Sequence, residues 1–99
     1  MLYAIVTRDA ENSLELRKQA RPDHLKRIEA LRKDGRLILA GPFPATDSEE
    51  PGDAGFTGSL IVAEFPSLEE ATEWANTDPY METGVTIETT VKPYIKTQP

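Results

Sequence analysis

The chain carries one histidine, His24, and no cysteine. Imidazole is the side chain that most readily exchanges a proton near neutral pH, and a carboxylate that holds one ring nitrogen turns the other into a general base. Asp78, in the run Thr77-Asp78-Pro79-Tyr80, is the carboxylate expected to meet it. Ser59 is the third candidate, as a nucleophile or as a hydroxyl that polarises a substrate carbonyl. No GxSxG elbow surrounds it, so nothing local marks it as activated. Arg21, Gly41, Pro42 and Tyr80 fall on the same expected edge of the fold and are the candidate substrate-binding residues.

Each of these residues also has a purely structural reading. A histidine near a helix start often hydrogen-bonds within a core, and an aspartate before proline often closes a helix or turn. On the residues alone the structural reading is the commoner outcome. Gly52, Gly55 and Gly58 do not follow a strand and open a helix as a phosphate-cradling loop would. The acidic residues Asp47, Glu49, Glu50 and Asp53 lack the spacing of a calcium loop and read as solvated surface. Trp74 and Tyr80 could stack an aromatic ligand, though single aromatics near a helix end more often pack. With no thiolate available, a metal site would need oxygen ligands, and neither metal nor cofactor is expected.

The elements that must position these groups follow from periodicity. Short β-rich runs predict strands over residues 2–7, 37–40, 59–65 and the segment after Gly84. Residues 13–20 are helix-prone, and Pro22 suits the first turn of a longer helix that ends at Gly35. His24, Ile28 and Leu31, with Leu25 beside them, give that helix a core-facing stripe. Ser67 and Glu70 form a capping box for a second helix to about Thr77, with Leu68, Ala71 and Ala75 turned inward. Residues 43–58 read as a long loop. In the final strand Val85, Ile87 and Val91 share a face.

The order βαββαβ predicts an α+β, ferredoxin-like fold: one four-stranded antiparallel sheet with both helices on one face. Both faces of strands one and three are apolar, so the uncovered face is expected to pair with a second copy. The long connections lie at the edge that carries His24 and Asp78, which makes that edge the expected site.

Read in order, MLYAIV, RPDHL, GRLILAGPFPA, DSEEPGDAGFTGS, TDPY and VKPYI make the whole chain resemble the YciI-like family. The resemblance implies a dimeric α+β barrel, similar in architecture to muconolactone isomerases, with a histidine and aspartate pair as the proposed active site. The family histidine falls on His24, the DPY aspartate on Asp78 and the serine after GFTG on Ser59. Asp23 and Tyr94 depart from the residues common in the family. Members with proposed chemistry act in aromatic degradation, including dehydrochlorination of hydroxyquinones. The resemblance therefore favours a small acid-base enzyme of lyase, isomerase or dehydrochlorinase type. The alternative is a non-catalytic dimer that binds a small metabolite.

At 99 residues the chain fits one domain, residues 1–99. A net charge of -6 disfavours nucleic acid and anionic membranes as partners. The first residues lack the pattern of a signal peptide, and the expected location is the cytoplasm.

Overall fold

Alternation of apolar side chains begins almost at the first residue. In the computed structural model, which describes residues 1–99, this run is strand β1 (Leu2–Asp9). Tyr3 and Ile5 are buried on one face, whereas Val6 on the other is exposed. The chain continues through α1 (Leu14–Lys33), β2 (Leu37–Pro44), a 3-10 turn (Gly52–Ala54), β3 (Phe56–Glu64), α2 (Leu68–Asn76), α3 (Pro79–Glu82) and β4 (Thr86–Tyr94). The sheet order is β2-β3-β1-β4 with every neighbouring pair antiparallel. Two split βαβ units thus interleave, which is the expected α+β, ferredoxin-like arrangement.

The core lies between the sheet and its helices. Tyr3, Ile5, Ile61 and Ala63 from the strands meet Leu31 of α1, Ala71 and Ala75 of α2, and Phe65. Burying an aliphatic side chain as fully as Ile5 contributes roughly 1.5–3 kcal/mol. Gly35, at φ 73°, ends α1: its N–H reaches the Arg32 carbonyl at 3.0 Å, and that of Arg36 reaches Leu31 at 3.0 Å. Ser67 caps α2 by accepting the Glu70 N–H at 3.1 Å. No helix is long and apolar enough to cross a membrane.

Several boundaries differ from the sequence expectation. Residues 13–33 do not form two helical pieces; α1 is continuous and Pro22 lies inside it. Arg17 and Ala20 before the proline and His24 and Leu31 after it are all buried, and this anchoring outweighs a cost of about 3 kcal/mol. β2 does not stop at Ala40 but runs through Gly41, Pro42 and Pro44. It tolerates prolines because it is an edge strand, as is β4 with Pro93. β3 begins at Phe56, so the loop between the two strands is shorter than expected. Leu25 and Leu68 are exposed, not core, and Val85 lies just before β4 and not in it. α3 went unrecognised because four residues are too few to show a period.

The face away from the helices carries Val6 of β1 and, on the far side of β3, Leu39 and Phe43 of β2, each more than a third exposed.

Candidate active site

His24 is reached by following the buried stripe of α1. Arg17, His24 and Leu31 recur every seven residues, and all three are buried against the sheet. His24 therefore sits mid-helix and not near a helix start. Asp78 arrives from the other direction, just past the Thr77 cap of α2, as the N-cap of α3. Its backbone is extended, and its Oδ2 accepts the Tyr80 N–H at 3.0 Å. The same oxygen lies 2.8 Å from His24 Nδ1.

Arg27, one turn beyond His24 on α1, completes the carboxylate's coordination. It donates to Asp78 Oδ1 at 3.0 Å, to the Trp74 carbonyl at 2.8 Å and to Thr77 Oγ1 at 3.2 Å. Its guanidinium also stacks over the Trp74 ring at 4.3 Å. Burial works to raise the Asp78 pKa, but the His24 hydrogen bond and charge, the Tyr80 N–H and Arg27 together outweigh it and lower it. An ionised carboxylate only accepts, so Nδ1 carries the proton and donates. Nε2 makes no hydrogen bond to protein, yet it is not sealed from solvent. Its lone pair is the available base.

Tyr80 links this pair to a second one. Its ring stacks on His24 with centroids 4.0 Å apart and planes 13° from parallel. The Arg17 guanidinium lies 4.7 Å from the same ring and 5.1 Å from that of Phe56. Arg17 is also ion-paired with Asp9 at the end of β1, and both side chains are buried. Asp9 Oδ1 has no partner. Burial dominates over the opposing Arg17 charge, so the Asp9 pKa is raised. The Tyr80 phenol is raised too, by burial above all, against the charges of Arg17 and Arg21.

Ser59 enters through the sheet. Gly58 makes the approach possible: a Cβ there would lie 1.8 Å from the Thr7 carbonyl oxygen. With β3 this close to β1, the Ser59 and Thr7 hydroxyls sit 2.8 Å apart, and the Ser59 N–H donates to Thr7 Oγ1 at 3.1 Å. Ser59 thus pairs with Thr7 and not with His24, which leaves it without the base that would make it a nucleophile.

A cavity of about 490 Å³ opens between α1 and the sheet. His24, Ser59, Arg21, Gly41, Pro42 and Tyr80 all line it. Asp78 does not reach it; it shares with His24, Ser59 and Tyr80 a small adjoining void of about 20 Å³. The cavity is lined from α1, β2, β3 and α3, and by no residue of the loop between β2 and β3. Asp47 and Glu49 of that loop border a separate shallow groove. Arg27, Arg17 and Asp9 were missed in the sequence. A charged residue on a buried helical stripe, as Arg17 is, was the signal available.

The model of the YCII-related domain matches residues 1–95. Protein YciI of Escherichia coli is 53% identical over 96 residues, which cover 97% of this chain and 98% of the relative. A Haemophilus influenzae protein is 47% identical over the same shares of the two chains. Among solved structures, 5-chloro-2-hydroxyhydroquinone dehydrochlorinase (TftG) of Burkholderia phenoliruptrix, in complex with 2,5-dihydroxybenzoquinone, is similar at a TM-score of 0.84 and 26% identity. That match covers 96% of this chain and 94% of the other.

Proposed function

The chain belongs to the YCII-related domain family, and from that membership we propose that it is a small enzyme of acid-base chemistry on a quinone-like or otherwise enolisable metabolite. Nε2 of His24 moves a proton from a substrate hydroxyl to a ring carbon, and in a chlorinated hydroquinone chloride then leaves that carbon as a second hydroxyl proton is released, a net loss of HCl, while Asp78 fixes the ring and balances the imidazolium. Ser59 offers a hydroxyl to the substrate oxygen, and Arg21, Gly41, Pro42 and Tyr80 shape the cavity around it. None of these steps calls for a bound cofactor or metal. The observation that carries the proposal is the 2.8 Å contact between Nδ1 and a carboxylate held ionised, with Nε2 left free beside a cavity. The fold shared with a dehydrochlorinase supports the substrate class.

The test is turnover of 5-chloro-2-hydroxyhydroquinone and related hydroxyquinones, followed by chloride release and absorbance. His24→Ala and Asp78→Asn should each lower kcat by about 10²–10⁴ while the protein stays folded. A folded His24→Ala protein as active as the wild type would overturn the proposal.

The working form we propose is a pair of chains joined through the open sheet face, where Val6, Leu39 and Phe43 are exposed. A chain this short gains proportionately from such burial. Sedimentation should give twice the chain mass at micromolar concentration, and a stable monomer would refute the pairing.

A further inference from the structure

We infer that the cavity beside His24 selects a flat oxyanion, an enolate, phenolate or carboxylate on a ring, over an uncharged molecule of the same shape. The inference rests on the reading of this cavity as the substrate site and adds the charge of its ligand.

The chain has 17 acidic and 11 basic residues. Its cavity reverses that balance: Arg17, Lys18 and Arg21 line it, and no Asp or Glu does. The three cations are not equivalent. Arg17 is already paired with buried Asp9, and Lys18 lies 3.5 Å from Glu15 in an exposed pair. Arg21 forms no ion pair with any carboxylate of the chain. It is the cation of this wall left to meet an anion from outside. Its charge is felt at the inner end of the cavity, because it acts together with Arg17 on the Tyr80 phenol.

The rest of the lining explains the flat ring. The stacked pair of His24 and Tyr80, together with Pro42, Phe56 and Ile61, offers apolar and aromatic surfaces that suit a planar ligand. Arg21 lines the cavity but is itself exposed, so its attraction for an anion is modest and screened by salt. In a chain that is acidic overall, one basic concavity also concentrates anions locally.

Three probes test this by calorimetric titration: 2,5-dihydroxybenzoquinone, which is ionised at neutral pH; benzoate, a ring carboxylate; and 2,5-dimethoxybenzoquinone, which has the quinone ring and no charge. At least one anion should bind more tightly than the neutral quinone, and which one does so tells an enolate site from a carboxylate site. Arg21→Gln should weaken that anion about fivefold and leave the neutral quinone unchanged. High salt should weaken it in the wild type and much less in the variant. Equal binding of charged and neutral quinones, an unaltered anion affinity in Arg21→Gln, or no binding by any probe at millimolar concentration would overturn the inference. His24→Ala separates this outcome from the acid-base proposal. Charge preference without turnover in the wild type would sink the enzyme reading and leave the oxyanion site standing. Turnover that depends on His24 without charge preference would do the reverse.

Discussion

Two buried carboxylates lie near Tyr80, each paired with an arginine of α1, and their proton affinities move in opposite directions. Asp78 has a donor on every face: His24 Nδ1 and the Tyr80 N–H on Oδ2, Arg27 on Oδ1. Its pKa is lowered. Asp9 has Arg17 on Oδ2 and nothing on Oδ1, and its pKa is raised. An opposite charge nearby is thus not enough to lower the pKa of a buried carboxylate; each oxygen also needs a donor. The better-satisfied carboxylate is the one that holds the histidine.

The largest expected effect comes from breaking the poorer pair. Arg17→Met leaves Asp9 buried without its cation and should cost about 3–5 kcal/mol in urea unfolding at neutral pH. Asp9→Asn in the same chain should recover most of that loss. A single variant within about 1 kcal/mol of the wild type would erase the contrast between the two sites.

Arg27→Gln attacks the better pair and should cost less, about 1.5–3 kcal/mol, since one donor to a charged acceptor is removed while two remain. The ¹⁵N spectrum of His24 reads the consequence directly, as the sole histidine gives one pair of ring signals. The wild type and Arg27→Gln should both show the Nδ1–H tautomer. Asp78→Asn should not, and an Nε2–H tautomer in the wild type would contradict the arrangement.

The smallest effects are in the pH profile of stability, where the two aspartates act on opposite sides of the ordinary value of 3.8. Below it, the unfolded chain binds a proton at residue 78 that the folded chain refuses, so stability from Asp78 is lost as pH falls through its lowered pKa. Above it, folded Asp9 keeps a proton that the unfolded chain has released, so stability from that group falls as pH rises toward its raised pKa. Thermal midpoints against pH should accordingly lose part of their acid limb in Asp78→Asn and part of their decline above pH 3.8 in Asp9→Asn. Identical profiles in the two variants would mean that the carboxylates do not differ.

Much of the frame is legible in the sequence. Alternation in β1 and β3, the Gly35 stop and the Ser67 cap act over a few residues and are visible without tertiary context. The meeting of His24 with Asp78 follows from topology alone, because helix one and the end of helix two pack on the same side of the sheet. Contacts made across the fold were not legible. Pro22 looked like a helix start since nothing local reveals that both flanks are anchored. Nothing local singles out Arg27, although its three-residue offset from His24 puts it on the same helical flank. The continuation of β2 through Gly41 and Pro42 depended on its place at the sheet margin, which only the strand order discloses.

That same margin limits how copies of the chain can assemble. Both outermost strands contain residues with no amide hydrogen to offer, Pro42 and Pro44 on one side and Pro93 on the other. A neighbouring molecule cannot extend the hydrogen-bonded ladder past them, so the sheet resists growing sideways into a ribbon or fibril. The pairing proposed above uses the flat surface instead, and two copies meeting there would hide the same patch from any third. Growth by that proposed route would end at two, while the prolines disfavour polymerisation along the sheet edges.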